Sequence, residues 1–168
     1  FYIGPMFRAE RPQKGRQRQF HQFGAELMGS SAPMADVEII RFMMRIYEKI
    51  GIPNLKLLIN SVGDPESRAA YKPALQDYFR PHFEQLSDIS RQRFESNPMR
   101  ILDSKEAEEP ELNEGAPLIT DYLNAECTAG YAEVKELLGD SGITFVEQPR
   151  LVRGLDYYTK TAFELISP

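Results

Sequence analysis

"FRAERPQKGRQRQFHQFGAE", residues 7–26, sets two strand-like stretches on either side of a basic loop. Residues 20–28 (FHQFGAELM) alternate cleanly. Phe20, Gln22, Gly24 and Glu26 fall on one face, and His21, Phe23, Ala25 and Leu27 on the other. The second set is mostly apolar and is expected to face a core. The first set mixes an aromatic ring, an amide, a glycine and a carboxylate, which suits either a solvated face or a ligand-binding one. Residues 1–8 (FYIGPMFR) read as a partner strand, with Gly4 and Pro5 marking an irregular point. Joined through residues 9–19, the two predict an antiparallel hairpin whose loop exceeds the usual length of about two to five residues.

The loop is charged in a way the chain is not. Residues 8–18 hold Arg8, Arg11, Lys14, Arg16 and Arg18 against Glu10 alone, a balance of +4 in a chain of net charge −5. Like charges repel, so five cations in one loop make sense when an anion sits among them. Arginine predominates, and guanidinium groups grip phosphate bidentately. Phe20, just beyond the loop, offers a ring on which a base can stack. A nucleoside triphosphate fits these features, a nucleic-acid backbone fits them nearly as well, and a solvated surface loop is the plain alternative. No glycine-lysine phosphate loop is present.

Outward from the hairpin, residues 36–50 (DVEIIRFMMRIYEKI) predict a helix with Asp36 as N-cap and Gly51 as stop. Its apolar face comprises Ile39, Ile40, Met43, Met44, Tyr47 and Ile50. Residues 55–59 (LKLLI) read as a buried strand. Residues 65–96 are helix-like, with Pro73 and Pro81 expected to break or offset the helices. Residues 103–115 (DSKEAEEPELNEG) read as a solvated acidic loop. Two short amphipathic helices are expected within 117–138, closed by Gly139 and Gly142. Strand returns at 143–147 and again in "LVRGLDYYTKTAFELI", residues 151–166, where Tyr157 and Tyr158 fall on opposite faces.

This order predicts an α+β sheet domain, residues 1–62 and 143–168, interrupted by a mainly helical insert at 63–142. The 168 residues are 42% hydrophobic and 27% charged, enough for a core in a soluble globular chain. No apolar run is long enough to span a membrane. The single cysteine, Cys127, can make no internal disulfide, which suits a reducing cytoplasm. With Cys127, His21 and His82 scattered, no metal site is spelled out. The chain opens at Phe1 inside a strand and closes at Pro168 just after another, as a piece of a longer protein would. Glu26 on the polar hairpin face, with Tyr157 and Tyr158, offers a carboxylate and phenols able to hold a planar donor–acceptor ring from two sides.

"GPMFRAERPQKGRQRQFHQFGAE" (4–26) closely resembles motif 2 of the histidyl-tRNA synthetases, which are class II aminoacyl-tRNA synthetases. "LVRGLDYYTKTAFE" (151–164) resembles that family's histidine-binding signature, and "NSVGD" and "NPMRILDSK" resemble parts of its inserted helical domain. The resemblance implies the class II antiparallel-sheet catalytic fold and a homodimeric, cytoplasmic parent. That parent would activate L-histidine with ATP and Mg²⁺ and transfer it to tRNA(His). By resemblance, Arg8 contacts the α-phosphate and the adenylate, Glu10 contacts adenine, Arg16 reaches the terminal phosphates and Phe20 stacks on adenine. Gln22 approaches the histidine amino group, and Glu26 and Tyr158 bracket the imidazole. Arg153 lies near the carboxylate and α-phosphate, and Tyr157 lines the same pocket. Arg8 and Arg153 are the implied catalytic cations. The basic loop would also lie where the tRNA acceptor end approaches.

Lys160 departs from the pattern, standing where the family usually carries a small or polar residue. Neither motif 1, motif 3 nor an anticodon-binding domain is found, so this stretch is expected to carry half an active site and to be inactive alone. Two rivals share the fold. One is a regulatory paralogue serving histidine biosynthesis; the other is a synthetase-like tRNA-sensing domain. The former would lose the substrate residues and the insert, and the latter would degrade the signatures.

Overall fold

The computed structural model describes residues 1–104, 106, 109–153 and 157–167. It forms two compact units, Phe1–Ser31 and Ala32–Pro168. The smaller unit is an antiparallel hairpin of β1 (Tyr2–Phe7) and β2 (Gln19–Gly24). Register runs from Tyr2 opposite Gly24 to Phe7 opposite Gln19. The Arg8 N–H donates to the Arg18 carbonyl at 2.9 Å, prolonging the ladder. Counting back from that bond, Pro5 and His21 form a non-hydrogen-bonded pair, so the proline's missing N–H points away from the partner. β1 therefore runs unbroken through Gly4 and Pro5, against the expected irregularity.

Two further expectations for the hairpin fail. β2 ends at Gly24 rather than Met28, which leaves Glu26 outside the strand. The expected core face is not buried: His21 is exposed, and Phe23 is 40% exposed. A ribbon of two strands has no layer of its own to cover it.

The larger unit is built on a three-stranded sheet with order β4–β3–β5, where β3 is Lys56–Ser61, β4 Phe145–Glu147 and β5 Thr161–Ile166. β3 runs parallel to β4 and antiparallel to β5. Helices α1 (Pro33–Lys49) and α5 (Ala125–Asp140) supply a layer over it. Val37 and Ile40 of α1 meet Leu57 and Ile59 of β3 and Tyr131, Val134 and Leu138 of α5 in one core. α1 starts at Pro33, three residues before the expected Asp36 cap. Proline at the first helical position loses an N–H that would be unbonded anyway. It ends at Lys49, and Gly51, two residues on, takes a φ of +80° that is open to glycine.

A second core gathers the middle of the chain. Tyr71, Leu75 and Phe79 of α2 (Pro65–Phe79) pack with Phe94 of α3 (Asp88–Ser96), with Ile101 and with Ile119. α2 continues through Pro73, which the sequence marked as a break; the helix is pinned on either side by Tyr71 and Leu75, each almost wholly buried. Pro81 does end it, opening the 3-10 turn Arg80–Gln85. The acidic stretch is not a solvated loop throughout. It contains α4 (Glu109–Glu114), and Glu109 is 1% exposed. Its carboxylate accepts from the Ser87 N–H at 2.7 Å and the Ser90 hydroxyl at 2.8 Å. Two helices were expected in 117–138; a single 3-10 turn at Ile119–Tyr122 precedes the long α5, which passes through Gly139 and stops before Gly142.

Candidate functional site

On the hairpin, residues facing each other across the ladder share a side, so Phe20 and Gln22 lie with Met6, Gly4 and Tyr2. The Gln22 amide nitrogen donates to the Tyr2 hydroxyl at 2.7 Å. Gly24 is the pivot of this arrangement, because a Cβ there would fall 2.5 Å from the Tyr2 ring. Gly4, opposite Gln22, leaves open space above the strand. The Arg8 guanidinium sits 4.0 Å from the Phe20 ring centroid, a cation–π contact worth about 0.5–1 kcal/mol on an exposed surface.

Beyond the strands the loop folds on itself. Gln13 and Arg16 pair as an isolated bridge across a turn in which Gly15 takes φ +77°. The Arg16 guanidinium ion-pairs with the Glu10 carboxylate, and Arg18 Nε donates to the Glu10 carbonyl at 3.3 Å. Arg8, Glu10, Arg16, Phe20 and Gln22 are thus held on one hairpin. Glu26 lies past its end.

Two signature residues of the larger unit meet at a cleft of about 300 Å³. Arg153 and Tyr158 line it together with Arg68 and Lys72 of α2, Asn97 and Met99. Arg153 also donates to the Phe163 carbonyl of β5. Tyr157 and Tyr158 are not on opposite faces of a strand. Their rings stack with centroids 4.8 Å apart, in a turn that precedes β5, so among the described residues the strand expected over 151–166 covers only Thr161–Ile166. Gly154, Leu155 and Asp156, also read as strand, lie outside the described residues.

Several residues that position this cleft escaped the sequence reading. Asn60 at the end of β3 donates to the carbonyls of Pro149 at 3.2 Å and Leu151 at 3.0 Å, fixing the approach to Arg153. Asp64 caps α2 through the Ser67 N–H at 2.8 Å. That bond chiefly, with help from the Ser67 hydroxyl and Asn124, holds its carboxyl down at about 2. The signal for the cap was present in Asp64-Pro65, an N-cap residue followed by an N1 proline. Arg68 and Lys72 are four apart on α2 and so share a face. Among the described residues, no three His, Cys, Asp or Glu side chains are placed to hold a metal ion. No helix among them is long and apolar enough to cross a membrane.

A sequence model described as histidyl-tRNA synthetase matches residues 1–168. A histidine–tRNA ligase of Limosilactobacillus fermentum is 49% identical over 166 residues, covering 99% of this chain and 38% of its own length. That of Bacillus subtilis is 50% identical over 167 residues, covering 99% and 39%. The crystal structure of apo S. aureus histidyl-tRNA synthetase superposes with a TM-score of 0.74 at 44% identity, covering 98% of this chain and 37% of that one. A structure described as an ATP phosphoribosyltransferase regulatory subunit/histidyl-tRNA synthetase from Bacillus halodurans C shares the fold, with a TM-score of 0.63 at 22% identity and coverage of 99% and 47%. The chain spans about two-fifths of the length of the curated relatives it matches.

Proposed function

The chain belongs to the histidyl-tRNA synthetase family, and from that premise we propose that it is the part of a histidine–tRNA ligase that grips ATP and histidine while the adenylate forms. The observation that carries this reading is the Arg8 guanidinium resting on the Phe20 ring beside an open strand face. In the proposed mechanism adenine takes the place of the guanidinium on Phe20, and Arg8 turns to the α-phosphate. Arg16 leaves Glu10 for the terminal phosphates, and Glu10 turns to the adenine. Gln22 accepts from the histidine ammonium through its amide oxygen. Its amide nitrogen already donates to Tyr2, which fixes the oxygen's direction.

Glu26 and the Tyr158 hydroxyl hold the two imidazole nitrogens, and Tyr157 lines the pocket. Arg153 screens the approach of the histidine carboxylate to the α-phosphate and stabilises the charge that builds on phosphorus. The carboxylate oxygen attacks the α-phosphorus, the α–β bridging bond breaks and pyrophosphate leaves. Mg²⁺ would enter with the triphosphate, whose negative charge it would offset.

The ligase would then pass histidine to tRNA(His), and salt would weaken that encounter in proportion to the phosphates contacted. The division into catalytic parts 1–62 and 143–168 around an insert at 63–142 is part of the proposal. The separate core of α2 and α3 supports its helical part, whereas α5, also within 63–142, packs on the sheet. So are homodimerisation and a cytoplasmic location for the intact protein. The regulatory paralogue is the weaker reading, because its solved relative matches at 22% identity against 44% for the synthetase. ATP–pyrophosphate exchange on the intact protein separates them. Exchange with histidine, and with none of the other amino acids, is expected. No exchange with any amino acid would favour the regulatory reading.

A further inference from the structure

The turn that carries Tyr157 and Tyr158 makes contacts that binding histidine does not explain. Arg68 Nη1, from the first turns of α2, donates to the Tyr158 carbonyl at 3.0 Å, while its Nε reaches the Asp64 carbonyl at 3.4 Å. Two residues on, Lys160 adopts a left-handed backbone, φ +60°. A lysine holds that conformation only where its surroundings over-determine it, and here they do. Its N–H donates to the Gly63 carbonyl at 2.9 Å, and its carbonyl accepts from the Val62 N–H at 2.7 Å. Its ammonium donates to the Glu126 carboxylate in the first turn of α5 at 2.7 Å.

The two helices holding the turn are themselves bolted together. The Asn124 side-chain nitrogen donates to Asp64 at 2.9 Å and Glu66 at 2.8 Å, and its oxygen caps α5 at the Cys127 N–H. The Asn124 N–H also donates to the Ser67 hydroxyl at 3.1 Å. The starts of α2 and α5 thus form one polar junction, and the tyrosine turn hangs from it at two points.

We infer that Arg68 and Lys160 are positioning residues, which fasten the Tyr157–Lys160 turn to the starts of α2 and α5 and so set the amino-acid affinity of the site. This rests on the placement of Tyr158 in the histidine pocket proposed above. The contact from Lys160 is exposed and cheap to lose. Its loss should therefore leave the fold intact and appear in histidine binding alone, which a merely structural role would not produce.

The test uses the intact ligase, with KM values for histidine and ATP from pyrophosphate exchange and thermal melting as a check on folding. Arg68→Met is expected to raise the histidine KM about tenfold, the loss of one hydrogen bond from a charged donor. The ATP KM should stay within twofold, and Arg68→Lys should recover part of the loss. Lys160→Glu and Glu126→Lys should each raise the histidine KM about fivefold, the upper range for an exposed pair turned repulsive. The double variant K160E/E126K should return it to within twofold of the parent. Tyr158→Phe distinguishes the two levels of the account. If it raises the histidine KM while Arg68→Met, Lys160→Glu and Glu126→Lys do not, the pocket stands and the positioning role is overturned. If Tyr158→Phe leaves the histidine KM unchanged, the pocket assignment falls and the positioning role with it. Equal rises in the ATP and histidine KM would also overturn the positioning role.

Discussion

Arg16 begins ion-paired to Glu10, and an exposed pair of this kind is worth about 0–1 kcal/mol. A triphosphate offering several charged oxygens outbids it, since a hydrogen bond between charged groups contributes about 1.5–3 kcal/mol. Arg16→Ala should therefore raise the ATP KM about ten- to hundredfold and leave the histidine KM within twofold; steady-state exchange kinetics read both. An unchanged ATP KM would take Arg16 out of the phosphate site. At this scale much was legible in the chain. Alternation put Phe20 and Gln22 on one face, and the register agrees. The Glu10–Arg16 pair was not legible, because a loop's net charge says nothing of which cation its one acid selects. Nor was the stacking of Tyr157 on Tyr158. Local alternation reports a strand only where a neighbour pairs with it, and ladder pairing to β3 begins at Thr161.

Elements depended on partners that single-residue propensities do not contain. Pro73 marks a break in any isolated helix, at a cost of about 3 kcal/mol. Here Tyr71, Leu75 and Phe79 bury the same helix on both sides of it. The acidic stretch hid α4 for a related reason: Glu109 is a solvated residue by composition and a structural acceptor in place. Burial alone would raise its pKa, but hydrogen bonds from Ser104, Ser87 and Ser90 together outweigh it, and the net shift is downward from 4.5. A carboxyl lowered in the fold contributes stability at pH values above its unfolded pKa, and that contribution fades as pH falls through the lowered value. The start of α3 should therefore loosen below about pH 4.5. Glu109→Gln, which cannot accept through its amide nitrogen, should loosen it already at pH 7 and flatten the acid response. Hydrogen-exchange protection of the 88–96 amides measures this. Protection in the parent that is flat from pH 6 to pH 3 would show that Glu109 carries no such load. Asp64 adds a second loss at the start of α2 between 3.8 and about 2.

At the scale of the molecule, the α+β class followed from the order of patterns, and the strands and helices of the chain bear it out. The packing of α5 against α1 did not, since a helix's partner is chosen by shape across the long stretch of chain between Lys49 and Ala125 rather than by its own periodicity. The proposal assigns roles to Arg8, Glu10, Arg16, Phe20, Gln22 and Glu26 of Phe1–Ser31 and to Arg153, Tyr157 and Tyr158 of Ala32–Pro168. The proposal makes one demand on the chemistry: Arg8 and Arg153 must both act in forming the adenylate. Single-turnover formation of histidyl-adenylate, at saturating histidine and ATP on the intact ligase, tests that demand directly. Arg8→Ala and Arg153→Ala should each slow it by about 10²–10³-fold, the loss seen when one preorganised donor to a developing charge is removed. A rate within about threefold of the parent for either variant would contradict the account, because that arginine would then have no part in the step.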